Sequence, residues 1–240
     1  DSIVIIPTYN EKENIENIIR AVFGLEKTFH ILVIEDNSPD GTADIVRRLQ
    51  KEFPERLFMI ERKGKLGLGT AYITGFKWSI EKGYDYIFEM DADFSHNPND
   101  LPRLYKACHD EGADVSIGSR YVSGVNVVNW PMGRVLMSYF ASKYVRFITG
   151  LPIHDTTAGF VCYRRKVLET IHLDHIRFKG YAFQIEMKFT AFKLRIPYHR
   201  STGHLYQPRI RYFQDEQQYL WRSRIRRHPT EMGQLVQKIS

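Results

Sequence analysis

The chain has 240 residues, of which 43% are hydrophobic and 26% are charged, an ordinary globular mixture that can bury a core within one domain. Its formal net charge of +6 would favour an anionic partner such as nucleic acid or a membrane surface. The basic excess is local, however, because residues 197–240 hold eight of the 34 Lys and Arg residues but three of the 28 Asp and Glu residues. The rest of the chain is nearly neutral, so no nucleic acid partner is expected, and a nucleic-acid-binding module ranks third among the alternatives.

The two cysteines, Cys108 and Cys162, have no close Cys or His at metal-ligand spacing. Neither a disulfide framework nor a zinc site is therefore predicted, and a reduced, cytosolic setting fits best. The sequence has neither an uninterrupted apolar run of about 18 residues nor a signal-like opening. We expect a protein that does not span a membrane by itself.

Short β-branched runs alternate with stretches of helical period through the first 120 residues, a rhythm typical of βαβ units around a parallel sheet. The predicted strands are 2–7, 30–35, 57–61, 84–90 and 114–118, and the predicted helices are 12–23, 41–53, 68–82 and 99–111. Further along, the pattern predicts a helix at 132–149, a strand at 158–163 and a helix at 181–194. The expected fold class is α/β, with a doubly wound, mostly parallel sheet flanked by helices.

An acidic pair, Asp91 and Asp93, follows the fourth predicted strand with Ala92 between them. Alternate residues of an extended segment point the same way, so both carboxylates can face one hard divalent cation, Mg²⁺ or Mn²⁺. A solvated turn or a helix cap is the alternative for an isolated pair of this kind, but the position at a strand end favours the metal. General acid or base catalysis is the weaker interpretation, because a bound metal would hold both groups ionised.

Polar residues also follow the first two strands, and ligands of such sheets bind beyond the carboxyl ends of the strands. Tyr9 and Glu11 supply an aromatic face and a carboxylate after the first strand, and Asp36 after the second could accept hydrogen bonds from a nucleoside. A structural role is the alternative here, since Ser38 or Asp40 is expected to cap the next helix.

A basic, glycine-rich segment, residues 63–71, leads into the third helix, where backbone N–H groups could meet phosphate. Glycines that let the helix begin close to the sheet are an equally good explanation. Their spacing is not that of a dinucleotide-binding loop, which argues against a dehydrogenase. Arg120 follows the fifth strand, and Arg134 and Ser138 share a face of the next helix, so the three could form a phosphate cradle. Surface salt bridges are the alternative for each arginine.

Six segments together resemble the dolichyl- or polyprenyl-phosphate mannose synthases of the family 2 inverting glycosyltransferases: PTYNE, EDNSPDGT, GKLGLGTAY, MDADFSH, IGSRY and KGYAFQIEM. The resemblance covers about residues 2–196 and implies a GT-A fold, a GDP-mannose donor and a polyprenyl or dolichyl phosphate acceptor. It implies the following donor contacts: Pro7, Tyr9, Glu11, Asp36, Asp91, Ala92, Asp93 and Lys179. It also implies that Ser95 completes a metal shell with Asp91 and Asp93.

The same resemblance matches Arg120, Arg134 and Ser138 to phosphate contacts, which we assign to the acceptor. It also implies that Lys179 and Tyr181 begin a motif that closes over the site. A phosphate monoester is largely dianionic at neutral pH, so the acceptor needs no general base. Catalysis should then consist mainly of stabilising the departing diphosphate, and Asp91, Asp93 and Arg120 are the predicted catalytic residues.

The sequence departs from the family pattern after residue 196, where it lacks a loop of the type Asp-Arg-x-x-Gly-x-Ser-Lys. We therefore divide the chain into a GT-A domain, 1–196, and an atypical basic C-terminal tail, 197–240, which we interpret as divergent or altered in reading frame. A lipid substrate places the protein peripherally at the cytoplasmic face of a membrane, guided by helix 132–149 or by a membrane-anchoring partner protein. Two alternatives remain. One is transfer of another sugar, since no residue visibly selects mannose, and the other is a nucleotide-sugar-binding protein without catalysis.

Overall fold

The computed structural model describes residues 1–119, 132–151, 153 and 155–193 and three short strands beyond them. Of residues 132–139, 181 and the three strands it describes the backbone alone. The first half contains nine helices and strands in the predicted order: β1 (Ser2–Thr8), α1 (Ile15–Phe23), β2 (His30–Glu35), α2 (Thr42–Glu52), β3 (Leu57–Glu61), α3 (Leu68–Glu81), β4 (Tyr86–Glu89), α4 (Leu101–His109) and β5 (Val115–Gly118). Their limits agree with the prediction to within about three residues, apart from short 3₁₀ geometry at Pro98–Asp100.

The second half begins with α5 (Met132–Thr149), as predicted. It continues with β6 (Val161–Arg164), α6 (Arg165–Thr170), α7 (Tyr181–Lys193), β7 (Ile196–Pro197), β8 (Leu205–Tyr206) and β9 (Ile210–Phe213). The short helix α6 and a 3₁₀ turn at Leu173–His175 were not predicted, because six and three residues are too few to show a helical period.

The main sheet has the strand order β3-β2-β1-β4-β6-β5-β9 among the described residues. Every neighbouring pair is parallel except those of β6, which runs antiparallel to both β4 and β5. The prediction of a mostly parallel, doubly wound sheet is confirmed. Strand β9 lies within the predicted tail and pairs with β5 from Val115↔Ile210 to Gly118↔Phe213, while the division of the chain at residue 196 stays a prediction.

Two apolar cores cover the two faces of the sheet, because successive strand residues point to opposite sides. On β1, Ile3 and Ile5 belong to the core beneath α3, α6 and α7, whereas Val4 and Ile6 belong to the core beneath α1, α2 and α4. Helix α3 lies so near β1 that a Cβ atom on Gly75 would come within 2.7 Å of Ile5 Cγ2. The close approach of α3 to β1 therefore depends on the absence of a side chain at Gly75.

Candidate active site

The carboxyl ends of β1, β2 and β4 meet at one edge of the sheet, as the parallel pairing requires. The antiparallel strand β6 begins at this same edge, so the loop that leads into it, residues 155–160, approaches the end of β4. Pro7 lies on β1 paired with Ile34, and Ala92 is buried beside the end of β4. The predicted residues after these strands are thus brought to one place.

The loops after β1 and β2 are tied together through backbone N–H groups of the first loop. The N–H of Asn10 donates to Ser38 Oγ over 3.0 Å, that of Glu11 to Thr42 Oγ1 over 3.1 Å, and that of Lys12 to Asp40 Oδ2 over 3.1 Å. The N-cap of α2 is Gly41, without a side-chain cap hydrogen bond, so the prediction that Ser38 or Asp40 caps this helix is wrong. Asp40, one residue before the cap, instead accepts the N–H of Thr42 with Oδ1 at 3.0 Å.

Asp36 forms a bidentate ion pair with Arg62, a residue that the sequence analysis did not select. The two N–O distances are 2.5 and 2.6 Å, and both side chains are 8% exposed. Arg62 Nη1 also donates to Thr70 Oγ1 at 2.8 Å, on the first turn of α3. Both carboxylate oxygens of Asp36 are therefore oriented by one guanidinium group, which joins β2 to α3.

Asp91 lies just beyond β4 and is oriented by Tyr72 of α3, whose hydroxyl donates to Asp91 Oδ1 at 2.9 Å. Tyr72 is fully buried and stacks on Phe183 of α7 with 6.0 Å between ring centroids. Burial, and then the negative charge of Asp91, raise the pKa of the Tyr72 hydroxyl well above its usual value, so it stays a donor. Gly159 lies beside the second oxygen of this carboxylate, because a Cβ atom on Gly159 would come within 3.2 Å of Asp91 Oδ2. The absence of a side chain at position 159 leaves room for the Asp91 carboxylate.

Asp93 is exposed and sits in a turn rather than on the strand, because β4 ends at Glu89. Its Oδ1 accepts the backbone N–H of Ser95 at 2.9 Å. Among the described residues, no group of three or more His, Cys, Asp or Glu side chains could hold a metal. Two carboxylates nevertheless fit Mg²⁺, which is commonly bound by one or two carboxylates together with substrate phosphates.

Behind Asp91 lies a buried polar cluster of four side chains: Glu89, Tyr163, Gln184 and Lys188. The Lys188 ammonium donates to the Ala158 carbonyl at 2.6 Å and to Gln184 Oε1 at 3.1 Å. Neither oxygen of Glu89 nor the amide nitrogen of Gln184 has a hydrogen-bond partner within the described part of the chain. Burial raises the pKa of Glu89 to about 8, against the opposing effect of the Lys188 charge.

The glycine-rich segment before α3 packs against the segment that carries Lys179. The N–H of Gly69 donates to the Lys179 carbonyl at 2.8 Å, and a Cβ atom on Gly69 would come within 2.7 Å of the Phe178 carbonyl. Glu186 anchors this segment, since its Oε2 accepts the N–H groups of Arg177 and Phe178 at 3.0 Å. These contacts support the packing explanation for Gly69, and Lys179 itself is exposed at the rim.

The predicted acceptor residues are only partly described. Arg120 lies outside the described residues, and Arg134 and Ser138 lie on the described backbone of α5, one turn apart. Ser142, one turn further along, is buried and lies 3.2 Å from Thr156 Oγ1. Positions 138 and 142 are one helical turn apart and therefore lie on the same side of α5.

A family model for glycosyl transferase family 2 matches residues 3–172. The chain belongs to this family and is a glycosyltransferase. It is 48% identical over 190 residues, 79% of this chain and 71% of the relative, to the polyprenol monophosphomannose synthase of Mycolicibacterium smegmatis. It is 44% identical over 192 residues, 80% of this chain and 78% of the relative, to the undecaprenyl-phosphate mannosyltransferase of Micrococcus luteus. The resemblance to polyprenyl-phosphate mannose synthases is confirmed by these relatives.

Solved structures support the GT-A fold. The structure of S. aureus TarS 1-349 superposes with a TM-score of 0.59 at 19% identity, over 91% of this chain and 59% of that chain. A mannosyltransferase from Pyrobaculum calidifontis in complex with GDP-Man and Mn²⁺ gives a TM-score of 0.57 at 19% identity, over 89% of this chain and 55% of that protein. The chain thus spans less than two thirds of the length of either protein, and the likeness concerns the fold.

The sequence analysis missed Arg62, Tyr72, Gly159 and Lys188 as residues that shape the site, whereas Gln184 belongs to the segment KGYAFQIEM that carries the resemblance. Tyr72, Gln184 and Lys188 lie at helix positions whose side chains are buried, where a residue ordinarily serves packing. A polar group at a core-facing helix position, as Gln184 and Lys188 show four residues apart, is the signal that could have revealed them.

Proposed function

We propose that this chain transfers mannose from GDP-mannose to a polyprenyl or dolichyl monophosphate, with Mg²⁺ or Mn²⁺ and with inversion at the anomeric carbon. The observation that carries the proposal is the orientation of Asp91 by Tyr72, beside Asp93 and at the sheet edge that also bears Asp36. The relatives' names, polyprenol monophosphomannose synthase and undecaprenyl-phosphate mannosyltransferase, supply the mannosyl group and the lipid acceptor.

The donor nucleotide would occupy the crevice between the ends of β1, β2 and β4. Asp36, oriented by Arg62, is suited to accept N–H donors of a guanine base, and Tyr9 is 37% exposed beside it. Lys65 lies 4.6 Å from the centroid of the Tyr9 ring, at the mouth of the glycine-rich segment. An aromatic face and a nearby cation match a ligand that has a base at one end and a diphosphate at the other.

Asp91, Asp93 and Ser95 would hold the divalent ion on the diphosphate of the donor. The ion supplies charge neutralisation to a leaving group that gains negative charge as the glycosidic bond breaks. Tyr72 contributes by keeping one Asp91 oxygen in place, so that the carboxylate need not reorganise during the reaction. Lys179, at the rim, adds a cation near the same end of the crevice.

The acceptor phosphate needs positioning more than activation, because its second pKa is near 6 and it is largely dianionic at neutral pH. Arg120, Arg134 and Ser138 are proposed to hold it, with guanidinium groups suited to phosphate oxygens. Attack from the side opposite the diphosphate then yields the inverted product. Arg120 is proposed to act in catalysis as well, by offsetting charge between the incoming and departing phosphates.

The outer face of α5 is proposed to bring the enzyme to a membrane surface at the cytoplasmic face. Phe140, Tyr144 and Phe147 are 60%, 46% and 89% exposed and recur at helical spacing, and Lys143 and Arg146 lie among them. Aromatic and basic residues on one helix suit the interface of a bilayer with anionic lipids. No helix in the described residues is long and apolar enough to cross a membrane. A membrane-anchoring partner protein remains a second proposed route.

The test is transfer of radiolabel from GDP-mannose to lipid-soluble product, with a polyprenyl phosphate and Mg²⁺ or Mn²⁺. UDP-glucose serves as the competing donor, and Asp44→Asn, an exposed carboxylate on α2, is the control for Asp91→Asn. We expect mannosyl product that is lost with EDTA and with Asp91→Asn but kept with Asp44→Asn. A product formed only with another sugar, donor binding without product, or absence of donor binding would each contradict the proposal. The anomeric configuration of the product, read by NMR, tests inversion.

A further inference from the structure

We propose that Lys188 is a positioning residue for the Asp91 carboxylate, acting through the Ala158-Gly159 backbone and the Gln184 side chain. The inference rests on the proposed function, in which Asp91 holds the ion on the diphosphate. It concerns a lysine on α7 that is 1% exposed and lies behind the site rather than in it.

The first step is the contact between Lys188 and the loop leading into β6. Lys188 Nζ donates to the Ala158 carbonyl at 2.6 Å, and Ala158 is fully buried. The next residue, Gly159, is the one whose added Cβ atom would lie 3.2 Å from Asp91 Oδ2. The Lys188 ammonium group therefore fixes the backbone segment that lies beside the Asp91 carboxylate.

The second step is the contact between Lys188 and Gln184, one turn earlier on α7. Nζ donates to Gln184 Oε1 at 3.1 Å and to the Gln184 carbonyl at 3.3 Å. With its oxygen held in this way, the Gln184 amide nitrogen lies near the same glycine, 3.8 Å from where a Cβ atom on Gly159 would lie. Gly159 is thus enclosed by groups that Lys188 orients, while Tyr72 holds the other Asp91 oxygen.

The third step concerns charge. Lys188 is 1% exposed and shares the buried cluster behind Asp91 with Glu89 and Tyr163, which are both fully buried. Replacing buried charges by well-packed apolar residues of similar volume often leaves protein stability unchanged or raises it. Stability alone therefore does not explain why this cluster is polar. A role in holding nearby functional groups accounts for it, as partners behind metal ligands do in other sites.

The experiment measures binding of Mn²⁺ in the presence of GDP, by electron paramagnetic resonance of the unbound ion. The test variants are Lys188→Met and Gln184→Met, and the matched control is Met187→Leu, a fully buried neighbour on α7. We expect Lys188→Met to raise the dissociation constant for Mn²⁺ by about 10-fold or more, and Met187→Leu to leave it unchanged. The double variant Lys188→Met/Gln184→Met should bind no more weakly than Lys188→Met alone, because the two residues act in series.

The measurements are made at a temperature at which all variants are folded by circular dichroism, so that a loss of stability alone does not alter the affinity. An unchanged Mn²⁺ affinity in folded Lys188→Met overturns the inference. If Lys188→Met does not fold, Gln184→Met decides, and an unchanged affinity there has the same meaning. Asp91→Asn separates the two proposals: if it leaves Mn²⁺ binding intact, the proposed metal site fails, whereas weakened binding with Asp91→Asn but not with Lys188→Met refutes the positioning role alone.

Discussion

The ion pair between Arg62 and Asp36 predicts a large loss of stability when one partner is removed. Both side chains are 8% exposed and meet through two N–O contacts of 2.5 and 2.6 Å. Removing one member of a buried pair leaves an uncompensated charge and costs about 3–5 kcal/mol. We therefore expect Arg62→Met to lower the free energy of unfolding by that amount, which corresponds to a fall in Tm of about 10 °C for a domain of this size.

The matched control is Arg47→Met on α2. Arg47 contacts Asp44 and Glu61 at 2.6 Å, distances like those of Arg62, but its side chain is 46% exposed. Exposed ion pairs are screened by solvent and contribute little, so this variant should unfold almost as the parent does. Urea titration followed by circular dichroism measures both. Replacing both buried partners in Arg62→Met/Asp36→Leu should recover most of the loss, because no buried charge then remains unpaired.

Equal losses in Arg62→Met and Arg47→Met would refute this reasoning, since burial is what distinguishes the two arginines. Binding of GDP to the folded Arg62→Met variant provides a second measurement. If Arg62 orients Asp36 toward the nucleoside, the affinity for GDP falls together with stability. An unchanged affinity for GDP would remove Arg62 from the donor site and leave it a purely structural role.

Three further predictions follow from the same edge of the sheet. Gly159→Ala should weaken Mn²⁺ binding in the presence of GDP by about 10-fold, because its Cβ atom would crowd Asp91 Oδ2; binding equal to the parent's would contradict this. Tyr72→Phe should lower kcat by about 10-fold or more while the chain stays folded, since the hydroxyl that orients Asp91 is lost; unchanged kinetics would count against that role. Burial raises the pKa of Glu89 from 4.5 to about 8, so its contribution to stability is complete below about pH 4.5 and is lost as the pH rises through about 8. In metal-free protein, urea titrations between pH 4.5 and about 8 should therefore show the free energy of unfolding falling less steeply with pH in Glu89→Gln than in the parent. Equal slopes in the two proteins would refute the raised pKa of Glu89.

The sequence predicted the helices and strands of the first half closely because their signals are local. Helix α1, for example, buries Ile15, Ile18, Ile19 and Val22 at the spacing of one helical face. The family, too, could be inferred from short segments, and its relatives confirm it. The acidic residues at strand ends could be placed near one another because parallel strands end at a common edge.

Contacts between distant segments could not be predicted in the same way. The pairing of Asp36 with Arg62 joins residues 26 positions apart, and that of Lys188 with Ala158 joins residues 30 apart. Nothing in the local pattern states which arginine a buried aspartate will meet, since many basic residues follow it in the chain. The antiparallel direction of β6 was likewise not predicted, because a short apolar run has the same appearance in either direction.

The antiparallel direction of β6 has a consequence for how this architecture can change. Strand β5 ends and β6 begins at the same edge of the sheet, and the N–H of Gly118 closes the base of the segment between them, residues 119–160, by donating to the Phe160 carbonyl at 2.8 Å. The proposed acceptor residues Arg120, Arg134 and Ser138 all lie within it, whereas the proposed nucleotide contacts lie outside it. Ala158 and Gly159 also lie within this segment, but they contact Lys188 and approach Asp91 on the donor side. A chimera that exchanges residues 119–157 and keeps Ala158 and Gly159 would therefore change the proposed acceptor residues while leaving the donor side unaltered in sequence.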